Sequence, residues 1–95
     1  MSEMKHMTDR ELLEKSVKAI GMGYVPEHAW NPLTDDGDAL RLAHSLKTPV
    51  SIDISAGLTI VSGWYFDVSE DHGDDSQAAT RRAIVRAAAA IGESL

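Results

Sequence analysis

Three carboxylates, Asp35, Asp36 and Asp38, stand around Gly37 in the stretch WNPLTDDGDALRLAHSL, Trp30 to Leu46. Acids this close can hold a hard cation or share a proton, so metal binding is the first chemistry to test. An EF-hand loop counts its ligands from a glycine at the sixth position. Counting from Gly37 puts Pro32 first and Ala43 twelfth, and counting from Gly73 puts Val68 first. Neither frame supplies the ligands. His28, His44 and His72 fall in no H-x-x-x-H or H-E-x-x-H spacing, and the chain has no cysteine. No metal and no cofactor is therefore expected. The acids fit better in the first turn of a helix, where carboxylates meet the positive end of the helix dipole.

Nucleophilic catalysis finds no better footing. No serine sits in a G-x-S-x-G elbow, since VSGWY lacks the preceding glycine. GMG at 21–23 follows a helix, whereas a phosphate-cradling turn follows a strand. The expectation is a protein without enzymatic activity, and what remains are binding candidates. Arg81, Arg82 and Arg86 give the last helix a basic strip, read either as a solvated face or as a partner or phosphate contact. Trp30 and Tyr65 would anchor a protein interface if exposed, because aromatic side chains dominate such surfaces. Asn31, Asp35 and Asp36 could rim it. His44 reads as a solvated residue near a helix C-terminus, where the dipole favours its charged form.

Composition bounds the partners. Ninety-five residues make one domain, and a chain this short buries only about 60–65% of its unfolded surface. Fifteen acids against nine bases leave a net charge of -6, which argues against general nucleic-acid binding. No run approaches the roughly 18 apolar residues of a membrane helix, and MSEMKHMTDR lacks an apolar signal core. With the cysteine-free composition, these features predict a soluble, cytoplasmic protein with a flexible tail at residues 1–7 and a single domain at 8–95.

The elements that must position these residues follow from periodicity. A helix is expected near 9–20. Thr8 and Glu11 form its capping box, Met7 and Leu12 a hydrophobic staple, and Gly21 its left-handed stop. Leu13, Val17 and Ile20 mark its buried face, flanked by Leu12 and Ser16. Glu11–Lys15 and Glu14–Lys18 are spaced as surface ion pairs. Residues 22–30 hold a loop. Asn31-Pro32 turns the chain into a second helix near 35–47, capped by Thr34 or Asp35, with Ala39, Leu42, Ala43 and Leu46 buried and Leu40 widening the stripe. PVSIDIS alternates as a half-buried strand with Val50, Ile52 and Ile54 inward. Ala56-Gly57 turns it into a second strand, LTIVSGWYFDV, with a bend or bulge at Gly63. SEDHGDDS reads as a loop. Asp75 or Ser76 then caps a last helix whose buried stripe is Ile84, Ala87, Ala88 and Ile91, ending near Gly92. The expected fold is α+β, a small α-β-α sandwich with a two- to three-stranded antiparallel sheet and three helices in the order α-α-β-β-α.

Three blocks, DRELLEKSVKAIG, WNPLTDDGDALRLAHSL and EDHGDDSQAATRRAIVRAAAAIG, resemble the small phage and prophage proteins that carry the phage α-β-α sandwich domain. The resemblance spans nearly the whole chain from Thr8 to Gly92. It implies the same sandwich, a setting in the cytoplasm of a bacterial host, and no established activity. Two functions are therefore expected in competition. One is a non-enzymatic accessory protein that binds an unknown protein partner, including a second copy of itself through a sheet edge. The other is a small nucleic-acid-associated or regulatory protein using the Arg81/Arg82/Arg86 strip.

Overall fold

The computed structural model describes residues 7–21, 30–63 and 66–94. Residues 1–6, 22–29, 64–65 and 95 lie outside the described residues, and with them most of the expected tail at 1–7, most of the expected loop at 22–30, and Tyr24, His28, Trp64 and Tyr65. The elements are α1 (Asp9–Ala19), α2 (Asp36–Leu46), β1 (Val50–Asp53), β2 (Leu58–Ser62), β3 (Asp67–Asp71) and α3 (Ser76–Glu93). The fold is the expected α+β class, a three-stranded antiparallel sheet with three helices. The three strands fall within the expected two to three, and the order is α-α-β-β-β-α, with one more β element than the expected α-α-β-β-α.

Local signals account for the helix ends. The Thr8 hydroxyl accepts from the Glu11 N–H at 3.2 Å, and the Glu11 carboxylate accepts from the Thr8 N–H at 2.9 Å. Asp35 and Asp75 cap α2 and α3, each accepting from a backbone N–H three residues on. Gly21 takes φ +73° after α1, as a left-handed stop requires. α2 ends without a glycine: Lys47 itself adopts φ 55°.

The third strand arises where the apolar pattern suggests a single second strand followed by a loop. LTIVSGWYFDV is not one bent strand; β2 stops at Ser62, β3 begins at Asp67, and the Gly63 N–H donates to the Phe66 carbonyl at 2.7 Å. β3 then claims Ser69, Glu70 and Asp71 from the segment read as a loop. Ladder hydrogen bonds to β2 override the poor strand propensity of DVSED. The sheet runs β1-β2-β3, with Val61 opposite both Val50 and Val68 and Thr59 opposite both Ile52 and Glu70. Directly opposed residues share a face, so these six side chains point one way, toward α3.

α3 is the centre of the molecule. Val85 and Gly92 face α1, Arg81 reaches α2, and Thr80 and Arg86 contact the sheet. Burial therefore extends beyond the expected stripe to Ala79, Ala83, Val85, Ala89 and Gly92. The alanines let three neighbours approach α3 closely, while Arg81, Arg82 and Arg86 reach outward between them. The helical layers lie on one face of the sheet, α1 stacked on α3 and α3 on the strands. Ser51, Ile60 and Ser69 on the other face carry none of the described helices.

Two helix faces differ from expectation for the same reason. Leu12 and Ser16, expected only to flank, are fully buried at the α1–α3 contact, while Leu13, Val17 and Ile20 are half-buried. The Ser16 hydroxyl donates to the Leu12 carbonyl at 2.8 Å and lies 3.2 Å from the Val85 carbonyl, which fixes α1 on α3. Gly92 lies in the last turn of α3, which ends at Glu93 as expected, and it serves this same contact. Lys15 pairs across the helices with Glu93 at 3.6 Å instead of with Glu11. Met7, at the N-terminal end of α1, packs against the core.

Candidate functional site

The acid cluster that suggested a cation site is an internal brace. The Asn31 side-chain carbonyl accepts from the Leu33 N–H at 3.0 Å, and its main-chain carbonyl accepts from the Asp35 N–H at 2.9 Å. Buried Asp38 turns back from α2, so that one oxygen accepts from the Asn31 N–H at 2.8 Å and the other from Arg41 at 2.7 Å. The Asn31 N–H, seconded by Arg41, holds the Asp38 carboxyl below its ordinary value, against the opposing effect of burial. Arg81 completes the brace from α3, with its Nε donating to the Leu33 carbonyl at 2.9 Å and its Nη1 to Asp36 at 2.6 Å. Trp30 is half-buried and packed against the core, so it does not stand out as a free aromatic anchor. Among the described residues, no group of three or more histidines or acids is placed to hold a metal ion.

The arginine strip disperses in space. Arg81 goes to α2, Arg82 pairs with Asp9 of α1 at 3.0 Å, and Arg86 bonds Glu70 and, at 3.1 Å, the Ser69 carbonyl of β3. Each guanidinium meets a carboxylate on a different element, because α3 is surrounded. Of the eight binding candidates, only Asp36 and Arg81 are brought to one concave surface with apolar neighbours. Tyr65 lies outside the described residues, and Asn31 and Asp35 are spent on the turn and the cap.

That surface is a groove of about 420 Å³ between α2, β1 and α3. Ala39 and Leu40 form one wall, Val50 and Ile52 the other, and Ile84 lies between, with Thr80, Asp36 and Arg81 at its polar end. Leu40 is 69% exposed and Ile52 55%. Both were expected on buried stripes. Ile54, in the turn after β1, is 73% exposed. Leu40 stands beyond the reach of α3, and β1 runs past the helix that covers β2 and β3.

Thr80 also ends a hydroxyl chain beneath the groove. Its oxygen lies 2.8 Å from that of fully buried Thr59, which lies 2.8 Å from Nε2 of His72. Thr59 has one proton and two acceptor lone pairs, enough to satisfy both partners at once. Thr59→Val preserves shape but removes both bonds, and unfolding stability should fall by about 1 kcal/mol in a urea titration.

The sheet edges differ in their hydrogen bonding. The Pro49 carbonyl accepts from the Ser62 N–H at 3.0 Å, and the Gly57 carbonyl accepts from the His72 N–H at 2.8 Å. Antiparallel ladders alternate. In the observed register Ser51 and Asp53 direct their backbone groups to β2, while Val50 and Ile52 direct theirs to the open edge. On β3 the outward residues are Asp67, Ser69 and Asp71. There Arg86 occupies the Ser69 carbonyl and the two aspartates add charge, which guards an edge against pairing. Among the described residues, nothing bonds to the outward groups of Val50 and Ile52. The second concavity, about 610 Å³ beside β3, is lined by Asp67, Glu70, Asp71 and the already paired Arg82 and Arg86.

Comparisons with protein-family models, with curated proteins and with solved structures give no match to this chain. None of the described helices is long and apolar enough to cross a membrane. Function therefore rests on the site itself.

Proposed function

We propose that the chain is a non-enzymatic protein-binding module, an accessory protein of phage or prophage type, that takes an extended segment along the open edge of β1. The observation that carries this reading is the conjunction at β1. Backbone groups of Val50 and Ile52, without a partner among the described residues, lie directly beside an apolar groove containing exposed Leu40. Strand addition uses this combination, with main-chain bonds giving affinity and alternate side chains entering a pocket. Asp36 and Arg81 supply a polar rim at one end of the groove. The carboxylate pairing of Arg81, Arg82 and Arg86 weighs against phosphate contact by the arginine strip.

The test is partner capture from prophage-bearing host lysate with the wild type and with a Leu40→Glu/Ile52→Glu variant. Both positions are exposed, so circular dichroism should remain that of the wild type, while recovery of the partner falls by at least about tenfold. A partner held equally well by the variant would sink the proposal.

A further inference from the structure

The β1 edge is complementary to itself. Pairing two copies antiparallel about a two-fold axis perpendicular to the sheet requires the two residue numbers in each opposed pair to have a constant even sum. Only then do the apolar faces of both strands lie on the same side. Centring on Ser51 sets Val50 opposite the partner's Ile52 and Ser51 opposite the partner's Ser51. Val50 and Ile52 are the residues whose N–H and C=O groups point outward, so this register makes four reciprocal hydrogen bonds. Centring on Ile52 would recruit Ile54, which is already committed to the turn, since Gly57 donates to its carbonyl and to that of Asp53. Centring on Asp53 would oppose two carboxylates. Of these three registers, chemistry favours the one centred on Ser51.

We infer that a second copy of this chain occupies the β1 edge, joining the two sheets into one of six strands. The inference rests on the protein-binding reading and names its partner. In this arrangement the partner's Ile52 lies beside Val50, which lines the groove, so apolar surface on each copy is covered by the other. No like charges meet across the new ladder, and the guarded β3 edge ends the sheet on both sides, so assembly stops at two. Each copy carries a net charge of -6. Pairing therefore strengthens as salt rises from about 0.01 to 0.15 M and the Debye length falls from about 30 to 8 Å. Phosphate binding responds in the opposite direction.

Sedimentation equilibrium over rising protein concentration should move the mass from 10.3 kDa to twice that value. Ile52→Lys, a charge placed on an exposed edge position, should restore the monomer with unchanged circular dichroism. Register is read separately. Ser51 would form a non-hydrogen-bonded pair with the partner's Ser51, with Cα atoms about 4.5 Å apart, within disulfide range. Mild oxidation should therefore crosslink Ser51→Cys in a chain otherwise free of cysteine, and leave Ser69→Cys on β3 uncrosslinked. A wild type that stays monomeric throughout, or a dimer indifferent to Ile52→Lys, overturns self-pairing. Neither result touches the broader reading, which falls only if the Leu40→Glu/Ile52→Glu variant keeps its captured partner.

Discussion

Gly92→Ala is expected to destabilise the protein by about 3 kcal/mol, lowering the thermal midpoint by roughly 12–24 °C. The sign is the informative part. Inside an exposed helix the same change is worth about 1 kcal/mol of stabilisation, because alanine is the better helix former. At position 92 an added Cβ would fall far inside 3.0 Å of the Lys15 carbonyl oxygen, with the carbonyl carbon at 2.9 Å and the Ala19 nitrogen at 3.3 Å. All three are backbone atoms of α1, which cannot rotate aside as a side chain can. α1 must lift from α3, and Leu12 and Ser16 lose their buried seat on it. Thermal unfolding followed by far-ultraviolet circular dichroism checks this. A variant as stable as the wild type would show that the helices do not approach so closely.

The second large effect belongs to Asp38. Asp38→Ala leaves the Asn31 N–H without its acceptor and frees Arg41, and should cost about 2 kcal/mol in a denaturant titration. Asp38→Asn retains an oxygen for Asn31 and removes the charge, which isolates the dependence on pH. The folded Asp38 carboxyl lies below its ordinary value of 3.8. In the window between the two values the unfolded chain binds more protons, so stability rises with pH there. The contribution is fully present above the ordinary value and is lost as pH falls through the depressed one. The gap between wild type and Asp38→Asn should therefore be widest near neutrality and close on acidification. Glu11, held down by the Thr8 N–H and hydroxyl, and Asp53, held down by the Ala56 N–H and Ser55, contribute to the same acid limb in both proteins. A gap that does not change with pH would mean that the Asp38 charge stabilises nothing.

Much of the architecture was legible where the determining interactions are short in sequence. Thr8 and Glu11 announce α1 because a capping box spans three residues, and Asp75 announces α3 in the same way. Asn31-Pro32 does turn the chain into α2. The candidate site was less legible. Asp36 and Arg81 were singled out, but for their charge, and neither signalled the groove they rim. Leu40 and Ile52, which define the groove, read as core because each sits on an apolar periodic face. Periodicity identifies a face without saying whether a neighbour extends far enough to cover it.

The sequence by itself determined the helix caps, the existence of three helices and an antiparallel hairpin, the α+β class and the improbability of a Cys- or EF-hand-type site. All of these follow from hydrogen bonds and side-chain spacing within a few residues. Only the tertiary structure decided that α3 is the central helix, that Gly92 admits α1, that DVSED is a strand, and that the three arginines part toward three different carboxylates. It also decided which sheet edge is guarded and which, among the described residues, is left unpaired. These depend on the register of β2 against its two neighbours and on which surface of α3 each element covers. Both are set by packing between segments distant in the chain, where a local pattern carries no information about the partner.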